Sequence, residues 1–325
     1  MSFAYEQARP FGARDSAMPA RAAGRCRVTI GDLEVTFLPD GFICTSPESS
    51  YPGSSEALWR ANHHLLDGDG RFVMSLGALL VRSGERRVLV DLGWGPTQSE
   101  IVDPSSGAID GRIVGGALLG HLAACGVRPE DVDTVLFSHL HRDHTGWLDH
   151  DGAPCFPNAD HLVAEAEWAY WTTAVDVGVG PAPTREQLEV LATRVGFVVD
   201  GDTPVPGVDV LATPGHTPGH CSFVLSSGSA RALVLGDAVH CPLELLEPEL
   251  GFVADVDPAL AQRTKRQIEA ELLRAGTVAV GPHFADLVFG RLLPGDGRPS
   301  WHFPATQRSI DGVGPPAGKS EDDDA

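Results

Sequence analysis

Apolar and polar positions alternate along RVTIGDLEVTFLPDG, from Arg27 to Gly41, and the alternation breaks once, at Gly31-Asp32. Alternation with a two-residue interruption predicts two antiparallel strands joined by a tight turn. GALLVRSGERRVLVDLG repeats the pattern around Ser83-Gly84, so a second hairpin follows the first. The period then changes. Gly115 to Cys125 carries apolar residues at helical spacing, and DTVLFSH reads as a short buried strand that ends in a loop. Helices are predicted at Ala164 to Thr173 and Thr184 to Arg194, and strands at Val208 to Ala212, Cys221 to Leu225 and Ala232 to Leu235. A long helix is predicted at Asp257 to Ala275, after which TVAV leads to Gly281. Strand clusters in both halves, each followed by helices, predict an α/β fold: two sheets packed face to face with helices outside.

Outside that pattern lie two stretches without apolar periodicity. Residues 1–25, rich in Ala, Arg, Gly and Pro, and residues 305–325, ending in GKSEDDDA, read as flexible tails on a single domain of 26–304. No fixed-period repeat or long low-complexity linker divides that domain, and 42% hydrophobic content supplies a sizeable core. No apolar run reaches the roughly 20 residues that cross a bilayer, and the amino-terminal stretch has no apolar centre, so neither a membrane span nor a secretory signal is read. The six cysteines form no C-x-x-C pair. A reducing cytoplasm is the expected location. The net charge of -20 would repel a polyanion, and no basic patch offsets it, so nucleic acid is not an expected partner.

Candidate chemistry concentrates where the predicted strands end. SHLHRDHTGW places His139, His141, Asp143 and His144 within six positions of the loop after DTVLFSH. Imidazole and carboxylate suit borderline cations such as zinc, and four such groups in one short loop exceed what a single tetrahedral ion would take. Two metals are therefore indicated. ATPGHTPGH, LVLGDAVH and AVGPHF then bring His216, Asp237 and His283 to three further strand ends. His220, in the second PGH, reads as a supporting histidine. His63 and His64 carry a weaker signal still. Trp94, Trp147, Trp168 and Phe284 adjoin motif residues and line either a pocket or the core.

In this order the residues resemble the metallo-β-lactamase fold superfamily, over Arg27 to His302. The resemblance implies a four-layer αββα sandwich, two mixed β-sheets flanked by helices. It implies two divalent ions, Zn2+ foremost with Mn2+, Fe2+ or Co2+ as alternatives. His139, His141 and His216 would hold one; Asp143, His144 and His283 the other; Asp237 would bridge them. Asp91 matches the family's early D-T-G turn beneath the metal loops, with Leu92 in place of Thr. A hydroxide shared by the ions would attack the substrate, with Asp143 and Asp237 as the catalytic groups that hold or move its proton.

The ligand pattern and FPNADHLVAEAEWAYW look most like quorum-quenching lactonases and methyl parathion hydrolase-like enzymes. A small-molecule lactone or carboxylic ester is thus the expected substrate, with phosphotriester or thioester as alternatives. A catalytically silent, metal-stabilised binding protein is the alternative of another class. His240 stands where similar lactonases carry a Tyr that touches the substrate carbonyl. It either takes over that contact as a third catalytic group, marks another substrate, or supports the metals. A homodimer is compatible with the sequence.

Overall fold

The computed structural model describes residues 9–10, 19–150, 152–173 and 180–303. The expected carboxy-terminal tail, 305–325, and most of the amino-terminal one lie outside the described residues. Residues 19–25, expected in that tail, are packed: Ala20 and Ala23 are buried, and the Ala23 N–H donates to Ser75 Oγ at 2.8 Å.

Among the described residues, the first sheet has nine strands. Cys26–Ile30 and Leu33–Thr45 form the first expected hairpin, and Phe72–Ser83 and Arg86–Val90 form the second. Thr134–Leu136, Asp160–Ala164 and Val195–Val198 extend the sheet in parallel from Arg86–Val90. On the far side Ile109–Gly115 and Thr97–Val102 extend it antiparallel. The second sheet runs Ser300–Phe303, Phe289–Leu293, Thr277–Val280, Ala230–Val234, Cys221–Ser227, Val208–Ala212, with Arg9–Pro10 at its outer edge. Among the described residues, its one parallel pair joins Ala230–Val234 to Thr277–Val280. Both sheets are mixed.

The two-residue period of the strands builds the layers. In Phe72–Ser83, Leu79 and Val81 face the other sheet, whereas Ala78 and Leu80 face helices. In the second sheet Ala232 and Val234 point inward, and Leu233 and Leu235 outward. Leu118–Ala124 covers the outer face of the first sheet with Leu118 and Leu122, one helical turn apart, and Arg185–Ala192 adds Leu191. Pro258–Leu272 covers the second sheet with Ile268 and Leu272. The result is the four-layer αββα order. Truncating any of these buried leucines to alanine would cost about 2–5 kcal/mol.

Local signals set where the helices start. Thr184 accepts from the Gln187 N–H at 3.2 Å while Gln187 Oε1 accepts from the Thr184 N–H at 2.8 Å, a reciprocal cap that starts Arg185–Ala192. Asp257 caps Pro258–Leu272 by accepting from the Leu260 N–H, and Pro258 needs no partner for its missing N–H. The helix expected from Gly115 begins later, at Leu118, because Ile109–Gly115 is held as a strand by two neighbours. The one expected from Ala164 begins at Glu165, since Ala164 still pairs with Val198.

Candidate metal centre

Strand direction brings the chemistry to one end of the sandwich. Val208–Ala212, Ala230–Val234 and Thr277–Val280 all point the same way, and their carboxy-terminal ends lead to His216, Asp237 and His283. From the first sheet, Thr134–Leu136 leads to His139 and His141, and the short helix Arg142–Thr145 carries Asp143 and His144. Two glycines permit the approach. Gly215, at φ +135, lies so near Pro258–Leu272 that a Cβ there would strike the backbone of Ala261. Gly236, at φ +54, leaves the space that His220 Nε2 occupies behind Asp237.

All seven expected ligands meet in two sets. One is His139, His141, His216 and Asp237; the other is Asp143, His144, His283 and Asp237. Within each set one donor atom per residue lies within 4.8 Å of the others. Asp237 belongs to both. Its Oδ1 lies 3.1 Å from His144 Nε2 and 3.0 Å from His283 Nε2, and its Oδ2 lies 3.3 Å from His216 Nε2 and 3.7 Å from His139 Nε2. His216 Nε2 stands 3.0 Å from His141 Nδ1, and His283 Nε2 3.3 Å from His144 Nε2. Donors around a tetrahedral zinc, bonded at about 2.05 Å, stand about 3.3 Å apart. The donor spacing therefore fits a cation in each set. Buried His139 Nε2 also has no hydrogen-bond partner, which a cation would supply. Asp143, half-buried, is the ligand-type residue that also meets the open side.

Three of the rings, His144, His216 and His283, are turned by a group behind them. Asp91, buried at φ +60, accepts from the Ser138 N–H and Ser138 Oγ, both at 2.8 Å, and lies 3.0 Å from His144 Nδ1. Asp255 Oδ1 is 3.1 Å from His216 Nδ1, and the Ser75 carbonyl is 2.8 Å from His283 Nδ1. Such contacts orient the ring and leave the other nitrogen for a cation. Burial pushes His139 and His141 well below the ordinary histidine range, toward the neutral form that offers a lone pair. Burial also opposes charge on His144, His216 and His283, but Asp237 and the other facing carboxylates outweigh it and raise all three. Burial likewise opposes ionised Asp237, yet His144, His283 and His139 hold it well below the usual carboxylate range. The group shared by both sets is an anion.

His220 is not in either set. Its Nε2 accepts from the Asp237 N–H at 2.9 Å and its Nδ1 faces Thr213, while burial lowers its pKa to about 3, so it stays neutral and fixes Asp237. His240 is buried beside the cluster, with Nε2 3.4 Å from Asp237 Oδ2 and its ring stacked on Phe252 at 3.6 Å. His63 and His64 lie away, on the turn His63–Leu65. Of the four aromatics, Trp147, Trp168 and Phe284 belong to the packed clusters, and Trp94 is half-buried under the Arg142 guanidinium.

Among the buried carboxylates that were not foreseen, two tie loops together. Glu167 Oε1 accepts from the Leu140 N–H at 2.9 Å and Trp171 Nε1 at 2.7 Å; its Oε2 accepts from Thr217 Oγ1 at 2.6 Å and the Gly219 N–H at 3.1 Å. One side chain thus bolts the His139–His144 loop to the His216 loop. Asp40 does the same for the loops around Trp94, Gly116 and Trp147, accepting five N–H bonds at 2.9 to 3.0 Å. Glu167 lies inside AEAEWAYW, a stretch whose resemblance was legible; its role was not.

A profile of the metallo-beta-lactamase superfamily matches residues 78–283, which contain every residue of both sets. The chain belongs to that superfamily. The N-acyl homoserine lactonase AiiA of Bacillus thuringiensis subsp. kurstaki is 28% identical over 204 residues, 58% of this chain and 73% of the relative. AttM of Azorhizobium caulinodans, also an N-acyl homoserine lactonase, is 33% identical over 176 residues, 52% of this chain and 64% of the relative. Among solved structures, AidC, a dizinc quorum-quenching lactonase, superposes with a TM-score of 0.71 at 23% identity, covering 86% of this chain and 97% of that one. The hydrolase AbOPH superposes at 0.69 with 27% identity, covering 87% and 98%. This member of the metallo-beta-lactamase superfamily is a metal-dependent hydrolase related to N-acyl homoserine lactonases.

Proposed function

We propose that the protein opens a small lactone or cleaves a carboxylic ester at two divalent cations, zinc in the first instance. The observation that carries this reading is Asp237, whose two oxygens face different histidine sets. His139, His141 and His216 would hold one cation, Asp143, His144 and His283 the other, with Asp237 common to both. Two such ions would supply an activated water near neutral pH and offset the negative charge that develops on the substrate oxygen. Asp143, more open than the rest, would take a proton and return it to the leaving alcohol oxygen. His240, whose Nε2 lies 3.4 Å from Asp237 Oδ2, would hydrogen-bond the substrate carbonyl. The six cysteines are free thiols, which supports a reducing compartment such as the cytoplasm.

The lactone class rests on AiiA and AttM, both N-acyl homoserine lactonases by name. Parallel assays of the zinc-loaded protein on an N-acyl homoserine lactone, an aryl ester and a triaryl phosphate test it. A kcat/KM for the lactone at least tenfold above the others supports the reading. Preference for the phosphate would replace the substrate class, and no turnover of any of the three would sink the reading.

A further inference from the structure

Three buried groups behind His240, namely Glu244, Tyr51 and Lys265, take no part in holding cations. His240 itself is buried with Nε2 toward Asp237, and Glu244, four residues on, grips it from behind. Glu244 Oε1 accepts from the His240 backbone N–H at 2.9 Å and faces His240 Nδ1 at 3.2 Å. The same oxygen accepts from Tyr51 Oη at 2.8 Å, and Oε2 lies 2.5 Å from Lys265 Nζ. Phe252 closes the other face of the ring, stacked at 3.6 Å and 19°. Glu244 is 0% exposed and Lys265 3% exposed. Placing an ionised pair there carries a desolvation cost that an apolar pair of similar volume would avoid. The arrangement calls for a reason beyond packing.

We infer that Glu244, held by Lys265 and Tyr51, is a positioning residue for the reaction: it fixes the His240 ring so that Nε2 faces the substrate side of the metal centre. This rests on the hydrolase reading above and adds to it. The logic is geometric. Oε1 contacts both the backbone and the ring of the same residue, so it sets the rotamer as well as the chain. An ionised carboxylate at Nδ1 also keeps a proton on that nitrogen. Lys265 comes from Pro258–Leu272 and Tyr51 from the loop after Pro47–Ser50. The ring is therefore referenced to the helix that backs the second sheet and to the segment between the two hairpins of the first sheet. Burial opposes the ionised form of Glu244, but Lys265 and then His240 outweigh it and hold the group well below the usual carboxylate range.

Two readouts test the inference, one of them independent of turnover. In the proton NMR spectrum, the parent should show a far-downfield N–H resonance that His240→Ala removes and Glu244→Gln shifts upfield. In kinetics, Glu244→Gln should lower kcat by about 10–100-fold, the span of one charge-assisted hydrogen bond, with KM and metal content unchanged. In a His240→Ala background the same change should cost less than about twofold, because the group it acts through is gone. If Glu244→Gln folds poorly, Glu244→Leu with Lys265→Met removes both charges and supports the same comparison. Absence of the resonance from the parent, its persistence unshifted in Glu244→Gln, or kcat losses that multiply with those of His240→Ala would overturn the inference. A parent that turns over no substrate defeats the lactone reading instead, and the NMR comparison still decides the role of Glu244.

Discussion

At the scale of single residues, the centre depends on carboxylates that do different work. Asp237 faces both histidine sets, Asp91 and Asp255 turn rings, and Glu167 ties two loops together. These roles separate by experiment. Asp255→Asn keeps the shape behind His216 but weakens the grip on Nδ1, and contacts of this type are worth about 10–100-fold in metal affinity. Competition with a chelator should show a loss of that size for one equivalent of metal and little change for the other. Equal affinity for both equivalents would mean that Asp255 does not orient His216. Glu167→Gln leaves one acceptor for four donors, so unfolding should become easier by about 1–3 kcal/mol, read from the urea midpoint. If stability is unchanged, the loops are held by something else.

At the scale of elements, what the sequence shows and what it hides follow from burial. The hairpin at Gly31-Asp32 was legible because Cys26, Val28 and Ile30 turn inward while Arg27 and Thr29 are exposed, and the one at Ser83-Gly84 because polar turn residues interrupt two runs of apolar strand formers. Thr97–Val102 and Ile109–Gly115 were hidden because Gln98, Ser99 and Glu100 are exposed, at an edge where little apolar pattern is needed. All seven metal-ligating candidates were legible because each follows an apolar strand and a turn. Asp255, Glu167 and Glu244 were not, since a carboxylate that meets its partner across 27 to 39 residues, or inside a short helix, leaves no local signature. Helix starts were better marked. Thr184→Ala removes the reciprocal cap of Arg185–Ala192 and should cost about 1 kcal/mol, seen as a lower melting temperature with kcat unchanged. A loss of kcat without loss of stability would show that this helix does more than cover the sheet.

At the scale of the whole molecule, the many buried neutral imidazoles make stability depend on pH. Burial, with a smaller contribution from Arg194, lowers the His161 pKa to about 4, against about 6.5 in an unfolded chain. The unfolded state then binds the extra proton between those values, so stability present at pH 7 is lost as pH falls through about 6.5 and levels off near 4. Between pH 7 and 5 this one group accounts for about 2 kcal/mol. Urea unfolding of His161→Gln should show a pH dependence shallower by that amount, and an unchanged slope would mean that His161 is charged in the folded state. No helix among the described residues is long and apolar enough to cross a membrane.

The central claim is that Asp237 joins two cation sites into one hydrolytic centre. Calorimetric titration of metal-stripped protein with zinc, alongside hydrolysis of an N-acyl homoserine lactone at each addition, tests it most directly. The parent should bind two equivalents, with turnover rising to full value only as the second site fills. Asp237→Ala should bind at most one tight equivalent, with turnover reduced at least about 10³-fold. Fewer than one equivalent in the parent, or an Asp237→Ala protein that binds two and turns over normally, would contradict it.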